Sequence, residues 1–508
     1  MTEAGTASDA TRKEILKDIQ GDLIGFNKDR MRLVPFNFAD AASGRPLLRE
    51  LEPQLASGYE VVRFNAVFSS VNERSGQAEQ IVQATWANLW LSKSGLAVLE
   101  APDMANLPED FGQGMAQRAA QIGDANGNEP ASWVAPFAGG AEPHAVLVLA
   151  ADRPDDLEER HQQLSGLLRS HGAQEGQFQP GETRPGDQRG HEHFGFKDGI
   201  SQPGIDGLTT ASKGRKKIAK GVFLIGYADE QGTVSGQPPS TPAPAPTPYN
   251  PSPPPPPAQP YPAWTHNGSF VVYRRLRQDV AAFNSFLESK AAEHGLSADQ
   301  LGAKFMGRWK SGAPLARVPG MPRELDPSTS DPSTEYPQVL ESGKINRFDF
   351  EDDPEGQATP RASHIRKTNT RADVLPEGDK ADFHRMLRRG ITYGPELQPG
   401  EGPYGEQVPD TQDRGLLFVS YQSSIADGFE FVQARWANNN DFQAPRDGKD
   451  PIIAQDADGK EFHLTSASTH VTMIDRWVKT TGGAYFFSPS LTGIRTLAGQ
   501  PGDEAVAQ

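Results

Sequence analysis

The segment EHFGFKDGISQP, residues 192–203, places a single aspartate, Asp198, between a phenylalanine-rich approach and a glycine. Gly195 and Gly199 permit backbone angles that other residues resist, which predicts a tight loop. The flanking phenylalanines would keep water scarce, and a partly desolvated carboxylate is a candidate proton carrier. An ordinary Asp–Gly turn is the alternative interpretation.

Two basic segments lie further along this acidic chain. The stretch ASHIRKTNTR carries His364. The stretch ADFHRMLRRGITYGPE, residues 381–396, is predicted to begin as a short helix that is capped by Gly390. Arg388 and Arg389 would then lie in its last turn, where compensation of the helix dipole is the alternative role.

Asp198, His364 and Arg388 together have the side-chain chemistry of a haem peroxidase. A neutral imidazole can bind the iron from one side. On the other side a carboxylate can move a proton from one peroxide oxygen to the other. A guanidinium can stabilise the negative charge that develops as the O–O bond breaks.

Composition limits the class of protein. The 508 residues predict roughly two or three domains. A net charge of -16 argues against partners such as nucleic acid or anionic membranes. The absence of cysteine excludes disulfides, iron–sulfur clusters and thiolate ligation of haem. The first residues lack a basic segment followed by an apolar core, which predicts a cytoplasmic protein.

Apolar runs and periodicity give a coarse secondary structure. Buried strands are predicted at residues 59–68, 144–151, 268–276 and 414–422. Helices are predicted at residues 157–172 and 278–295. Strands and helices mix in both halves, which predicts an α+β protein of two related lobes.

The segment from Pro238 to Pro262 differs from the rest because it holds 14 prolines in 25 residues. Such a composition forms no core and predicts extended polyproline II on the surface. It serves either as a spacer or as a docking site for a proline-recognising partner.

Two possible metal motifs are weak. DADGK (residues 456–460) resembles the start of a calcium loop, but Ala467 stands where the bidentate glutamate is expected, so a turn is predicted. His191 and His193 could be paired ligands on one strand face. No third ligand accompanies them, which favours a structural role.

Several ordered blocks of the chain resemble the dye-decolourising peroxidases. GFKDG at residues 195–199 fits the Gly-x-x-Asp-Gly signature of that family. The other similar blocks are DIQGDL, NGSFVVYRRLRQDV, GRWKSGAPL, HIRKTNTR, LRRGITYGPE, RGLLFVSYQSSIADGFEFVQ and GGAYFFSPSL. The resemblance runs from about Asp18 to about Leu497 and leaves out the proline-rich segment.

The resemblance implies two ferredoxin-like lobes, each an antiparallel sheet with peripheral helices, with haem b mainly in the second lobe. The predicted division of the chain is a disordered tail (1–13), an N-terminal lobe (14–205), a C-terminal lobe (206–497) with a surface insertion (233–263), and a second disordered tail (498–508).

By matching motifs, the resemblance implies that Asp198 is the distal acid–base residue and that His364 is the proximal iron ligand. Arg388, the first arginine after Leu387, would be the distal charge stabiliser. Leu416 and Phe418 would form the apolar lining of the distal side.

The chain departs from the family pattern at one position. Some members have an asparagine two residues after the distal arginine, where this chain has Gly390, so that amide's role is lost. His384 is a rival iron ligand. On the predicted helix it would share a face with Arg388, four residues later, whereas ligand and arginine must approach the haem from opposite sides. A structural role is therefore predicted for His384.

The implied reaction is the oxidation of dyes and phenolic aromatics by hydrogen peroxide in one-electron steps. A bulky dye cannot enter a small peroxide pocket, so electrons could pass through aromatic side chains. The candidate relays are Trp264, Trp309, Trp436 and Tyr421, and ordinary packing is the alternative role for each.

Two competing functions remain. One is a protein that handles haem or iron, and the other is a non-catalytic haem-binding protein with a proline-rich arm. Asp198 and Arg388 argue against the binding protein, because binding alone needs neither residue.

Overall fold

A computed structural model describes most of the chain. The described residues are 3–75, 83–211, 215–237, 259–317, 345–371, 381–398, 412–442, 447–455, 460–464, 470–473 and 476–500. Most of the proline-rich segment, residues 456–459 of the predicted DADGK turn and residues 501–508 of the predicted C-terminal tail lie outside this part. Its helices include none that is both long and apolar enough to cross a membrane.

Helices occur throughout the described chain. The α-helices are α1 (Glu3–Asp18), α2 (Gly21–Ile24), α3 (Ala41–Leu51), α4 (Gly58–Ser75), α5 (Lys93–Val98), α6 (Glu109–Gln113), α7 (Met115–Arg118), α8 (Pro154–Ser170), α9 (Val280–Glu293), α10 (Ala298–Met306), α11 (His364–Lys367) and α12 (Leu491–Leu497). A π-helix spans Ala426–Ala437. Short 3₁₀ helices span Glu52–Gln54, Met104–Asn106, Pro130–Ser132, Ala138–Gly140, Gly186–Gln188, Lys220–Val222, Ala263–Thr265 and Ala381–His384.

The strands are β1 (Arg30–Asn37), β2 (Trp86–Leu91), β3 (Ala145–Ala151), β4 (Gln174–Glu175), β5 (Gln179–Glu182), β6 (Gly204–Ile205), β7 (Lys217–Ile218), β8 (Ser269–Gln278), β9 (Leu387–Arg388), β10 (Ile391–Tyr393), β11 (Gly415–Gln422), β12 (Lys460–His463), β13 (His470–Met473) and β14 (Val478–Ser488).

Ten of these strands form one antiparallel sheet with the order β10-β11-β8-β14-β2-β3-β1-β4, to which β5 adds beside β1 and β9 beside β11. Each half of the chain contributes five strands. The two halves meet where Phe487 of β14 pairs with Leu91 of β2. The predicted α+β class, with an antiparallel sheet in each half, is confirmed.

The sheet curves so that its two ends approach each other. The Thr392 hydroxyl of β10 donates a hydrogen bond to the carbonyl of Glu182 in β5. Inside the curve, Trp90 of the first half packs against Tyr421 and Phe486 of the second half, with ring centroids 6.4 and 5.9 Å away. The largest hydrophobic cluster therefore contains residues of both halves.

A second hydrophobic cluster lies in the C-terminal half. Helices α9 and α10 pack there against the fully buried Trp477. Phe305 of α10 stacks on Trp477 and meets Phe462 edge-on at 4.5 Å. This cluster forms one wall behind the Asp198 loop, because Phe194 and Phe196 belong to it.

Most of the predicted elements are confirmed. The predicted strands at 144–151, 268–276 and 414–422 are β3, β8 and β11, and the predicted helices are α8 and α9. The strand predicted at residues 59–68 is wrong, because this segment lies in α4. Its apolar residues recur with helical spacing, and Phe64 contacts Phe68 one turn later.

Two further predictions differ from the structure. Residues 3–13 of the tail predicted at residues 1–13 lie in helix α1, whose last turns are anchored by the buried Ile15 and Leu16. The helix predicted within residues 381–396 is a single 3₁₀ turn followed by β9 and β10. Strand β11 supplies backbone partners to both short strands, and this pairing overrides the local helix signals.

Two glycine substitutions test the close pairing of β11 with β8. A Cβ atom at Gly415 would overlap the carbonyl oxygen of Leu276 in β8. We expect Gly415→Ala to lower the free energy of unfolding by about 1–3 kcal/mol, since backbone atoms must move apart. The matched control is Gly166→Ala in helix α8, where a Cβ atom meets nothing within 4 Å.

The control should raise the free energy of unfolding by about 0.5–1 kcal/mol, because alanine is the better helix former. Denaturant titration of both variants provides the measurement. Wild-type stability of Gly415→Ala would contradict the register assigned to β11.

Candidate active site

The loop that carries Asp198 has the tight geometry predicted from its glycines. Gly195 has a φ of +95° and Gly199 has a φ of +71°, a region in which residues with side chains are strained. The backbone N–H of Asp198 donates to the carbonyl of Gly190 at 2.9 Å. The carboxylate accepts from the N–H of Gly199 at 2.6 Å.

A buried carboxylate, Glu192, is hydrogen-bonded to the backbone of this loop on its inner side. Its two oxygens accept hydrogen bonds from the backbone N–H groups of Phe194 and Phe196, both at 2.9 Å. The side-chain amide of Gln278 in β8 donates to the same carboxylate. Burial raises the pKa of Glu192, the hydrogen bonds lower it, and the nearby charge of Asp198 raises it further. Glu192 therefore links the loop to the central sheet.

The expected desolvation of Asp198 by its neighbouring phenylalanines is wrong. Asp198 is exposed, whereas Phe194 and Phe196 are each only 3% exposed. Both rings point into the second hydrophobic cluster, where Phe194 packs on Phe283 at 4.2 Å. The phenylalanines thus hold the loop against the core and leave the carboxylate accessible.

Arg388 lies in β9, opposite Ser420 of β11. Its backbone N–H donates to the side-chain oxygen of Gln202 at 3.2 Å, and its guanidinium lies 3.5 Å from the carbonyl oxygen of Ser201. Ser201 and Gln202 follow Asp198 by only a few residues. The structure therefore brings the predicted distal arginine and the predicted acid–base loop together.

His364 begins helix α11 and pairs with a carboxylate that the sequence analysis did not identify. Its Nδ1 lies 2.8 Å from Oδ2 of the fully buried Asp450. The other carboxylate oxygen of Asp450 accepts from the backbone N–H groups of Ile452 and Ile453 at 2.8 and 3.0 Å. Since Nδ1 is engaged, Nε2 is the ring nitrogen left to bind a metal.

The charges around His364 place it near both distal candidates. Burial lowers its pKa, but the charge and hydrogen bond of Asp450 outweigh burial, so that the net shift is upward. Arg388 lowers the pKa of His364 and Asp198 raises it. The structure thus places Asp198 and Arg388, which were predicted from separate segments, both within electrostatic range of His364.

Leu416 and Phe418 share one face of strand β11 and are half-buried. Phe418 packs against both hydrophobic clusters and lies 6.0 Å from the ring of Phe429. The alternate residues of the strand, among them Tyr421, point to the opposite face and are fully buried. Leu416 and Phe418 thus offer a partly open apolar surface.

A cluster of arginines surrounds Arg388. Burial and mutual repulsion lower the pKa of Arg215 to about 10 and that of Arg308 to about 9. The same two causes lower the pKa of Arg371, and in Arg385 burial outweighs pairing with Asp382. The Nε atoms of Arg215 and Arg371 are buried without a hydrogen-bond partner. Such a concentration of cations is suited to anionic groups such as carboxylates.

The predicted structural role of His384 agrees with its surroundings, although the helical argument for it is wrong. Its ring stacks on Phe431 with centroids 3.6 Å apart, and its Nδ1 lies 2.6 Å from the carbonyl oxygen of Asp427. Burial lowers its pKa to about 4. The ring is therefore fixed within an aromatic cluster that includes Trp436.

His191 and His193 each bind a backbone carbonyl. His191 Nδ1 lies 2.7 Å from the oxygen of Gly195, and His193 Nε2 lies 2.9 Å from the oxygen of Tyr393. Over the described ranges, no group of three or more histidine, aspartate or glutamate side chains could hold a metal ion. The two histidines thus fasten the Asp198 loop to itself and to β10.

Together these residues can bind a metal through one imidazole, bind anionic groups through arginines, and transfer a proton through an accessible carboxylate. Sequence reasoning missed Asp450 and Glu192. Glu192 stands inside the quoted loop motif, so its position was visible but its inward direction was not. Asp450 lies 86 residues from His364, and no local pattern connects the two.

Comparison with protein families gives two matches in chain order. The DyP dimeric alpha+beta barrel domain matches residues 18–185. The C-terminal domain of Dyp-type peroxidases matches residues 258–445. The first match covers the strands that build the N-terminal half of the sheet, and the second includes Arg388 and His364.

Whole-chain similarity extends the same finding. Peroxidase 2 from Mycetinis scorodonius is 33% identical over 498 residues, which cover 94% of this chain and 87% of that protein. The dye-decolorizing peroxidase AauDyP1 from Auricularia auricula-judae is 32% identical over 502 residues, or 94% of this chain and 86% of that protein.

The fold of this chain is also similar to solved structures of dye-decolorizing peroxidases. An ancestral D-type dye decolorizing peroxidase is 31% identical with a TM-score of 0.76, over 94% of this chain and 98% of that chain. A dye-decolorizing peroxidase in complex with 2,6-dimethoxyphenol is 32% identical with a TM-score of 0.72, over 95% and 99%. Since the similarity spans both halves of the sheet and the loops between them, this chain belongs to the family of dye-decolorizing peroxidases.

Proposed function

We propose that this enzyme is a haem b peroxidase that oxidises dyes and phenolic aromatics in one-electron steps with hydrogen peroxide. The observation that carries the proposal is the convergence of three groups from separate segments. They are His364, oriented by buried Asp450, and the residues Asp198 and Arg388, which both interact electrostatically with His364. A similar enzyme has been solved with 2,6-dimethoxyphenol, which supports phenols as reductants.

The residues present suit a haem group. His364 would ligate the iron through Nε2, because Asp450 occupies Nδ1. The arginine cluster would bind the two propionates, whose charges would relieve the repulsion that lowers the pKa values of Arg308 and Arg371. Leu416 and Phe418 would contact the apolar macrocycle. When bound, the haem supplies the redox chemistry.

Two residues of the chain would then provide proton transfer and charge stabilisation. Asp198 takes the proton from one oxygen of hydrogen peroxide and returns it to the other. The guanidinium of Arg388 stabilises the negative charge that develops on peroxide. The exposure of Asp198 lets peroxide reach the carboxylate, and the hydrogen bonds at Ser201 and Gln202 hold Arg388 against the loop that carries Asp198.

An absorption spectrum of the haem-loaded protein tests the proposal directly. We expect a ferric Soret band whose spectrum changes after one equivalent of hydrogen peroxide is added. The variant His364→Ala should lack this Soret band. The control is His384→Ala, which removes the rival imidazole and should leave the ferric band in place. Failure to take up haem, or a band that peroxide only bleaches, would favour a haem-handling or non-catalytic binding protein.

Asp198→Asn separates an enzyme from a binder. The amide cannot take up the peroxide proton, so we expect the rate of reaction with peroxide to fall by about 10²–10⁴-fold. Haem content should stay at the wild-type level, because Asp198 lies on a surface loop that the core holds in place. Stopped-flow mixing with peroxide gives the rate, and a wild-type rate would rule out Asp198 as the proton carrier.

Asp450→Ala tests the support behind the proposed iron ligand. Without the carboxylate, the imidazole of His364 loses its orienting partner and two buried N–H groups lose their acceptor. We expect haem affinity to fall by about 10–100-fold. The matched control is Glu175→Ala, which removes the carboxylate beside His161 in the N-terminal half. Haem titration should show the lower affinity for Asp450→Ala only. Equal haem affinities of the two variants would contradict the role of Asp450 in orienting His364.

Glu192→Gln tests the anchor of the Asp198 loop. The side-chain amide of glutamine has only one acceptor oxygen, so it cannot accept the backbone hydrogen bonds of both Phe194 and Phe196. The loop should therefore shift. We expect the rate of reaction with peroxide to fall by about tenfold to a hundredfold while haem binding persists. The control Glu182→Gln alters an exposed carboxylate of the same half. An unchanged rate would mean that Glu192 does not position Asp198.

A further inference from the structure

Three side chains form a buried hydrogen-bonded group that the proposed reaction does not use. The Tyr421 hydroxyl donates to Oδ2 of Asp22 at 2.6 Å, and Nε1 of Trp90 lies 2.8 Å from the same oxygen. Nε1 of Trp90 also lies 3.1 Å from the Tyr421 oxygen. All three residues are at most 3% exposed. We refer to them as the Tyr421 triad.

The charge states of the triad suit proton transfer from the phenol to the carboxylate. Burial raises the pKa of Asp22 to about 6, against hydrogen bonds from Tyr421 and Trp90 that lower it. Asp22 is therefore ionised at neutral pH but is a stronger base than an exposed aspartate. Burial raises the pKa of Tyr421 well above its usual range, so the phenol is protonated. The guanidinium of Arg389 interacts with both groups.

The triad lies close to the distal residues of the proposed active site. Tyr421 directly follows Ser420, which pairs with Arg388. A cavity of about 200 Å³ connects the two regions. Asp22, Trp90 and Tyr421 line it together with Gly199, Gln202 and Arg388. The cavity thus joins the triad to the residues that hold the distal arginine.

We propose that Tyr421 is an internal oxidation site, whose electron passes to the centre oxidised by hydrogen peroxide and whose phenolic proton passes to Asp22. The O–H bond of Tyr421 breaks, a neutral tyrosyl radical remains, and Asp22 becomes a carboxylic acid. An aromatic reductant later returns the electron, and Asp22 returns the proton. This inference rests on the proposed peroxidase function.

Two other buried tyrosines, Tyr273 and Tyr485, lack this arrangement. The hydroxyl of Tyr273 is buried without a hydrogen-bond partner. Tyr485 donates to Glu430 at 2.8 Å, but Arg118 forms a bidentate ion pair with that carboxylate. Both oxygens of that carboxylate are thus already engaged by a guanidinium. Tyr273 is therefore the matched control, since it is as buried as Tyr421 but has no acceptor.

Electron paramagnetic resonance of the haem-loaded enzyme tests the inference. Samples are frozen after mixing with one equivalent of hydrogen peroxide, without reductant, and are compared with protein grown on ring-deuterated tyrosine. We expect a tyrosyl signal that deuteration narrows. Tyr421→Phe should lose this signal, and Tyr273→Phe should keep it.

Asp22→Asn tests the proton acceptor. The amide is not basic, so we expect the Tyr421 signal to be lost although the phenol is still present. If this variant does not fold, the comparison of Tyr421→Phe with Tyr273→Phe decides the question alone. The inference is overturned if Tyr421→Phe keeps the wild-type signal, or if the signal is an indole radical that only Trp90→Phe removes.

Dye oxidation measured on the same samples separates this inference from the proposed function. Turnover of dye by wild-type enzyme without a Tyr421-dependent signal overturns the Tyr421 inference and leaves the peroxidase proposal intact. A protein that neither turns over dye nor changes its spectrum with peroxide overturns both.

Discussion

The antiparallel pairing of β11 with β8 is the constraint on which the rest of the site depends. On its other edge, β11 pairs with β9 and β10, which fixes Arg388 opposite Ser420. Alternation along the strand sends Leu416 and Phe418 to one face and Tyr421 to the other. A shift of register by one residue would exchange these faces, so that the apolar lining and the buried tyrosine are set together by one ladder of hydrogen bonds.

Charge imposes a second constraint on the same region. Arg388 stands among other arginines whose mutual repulsion is only partly offset by Asp382. A buried cationic cluster is costly unless anions accompany it. The cost of the cluster therefore supports the proposed binding of an anionic cofactor. The His364–Asp450 pair follows the opposite logic, since the buried carboxylate of Asp450 has hydrogen-bond partners in the imidazole of His364 and in two backbone N–H groups.

Local sequence patterns correctly predicted the elements whose structure depends mainly on neighbouring residues. The continuous apolar runs of β3 and β11 identified strands, and the glycines around Asp198 identified a tight loop. The patterns did not predict structure that depends on contacts with residues distant in the sequence. Residues 381–396 form short strands because β11 offers them backbone partners, and Asp450 meets His364 only through the fold. The inward direction of Phe194 and Phe196 likewise depends on a cluster built by other segments.

The triad shows how the two halves of the chain depend on each other. Asp22 and Trp90 come from the N-terminal half, and Tyr421 comes from β11, the strand of the C-terminal half that carries the proposed distal lining. Neither half alone contains both the phenol and its proton acceptor. An isolated C-terminal half would keep His364, Arg388 and Tyr421 but would lose Asp22, and it would also lose Asp198. The curved sheet that both halves build is therefore what assembles both the proposed proton carrier near peroxide and the proposed proton acceptor in the interior.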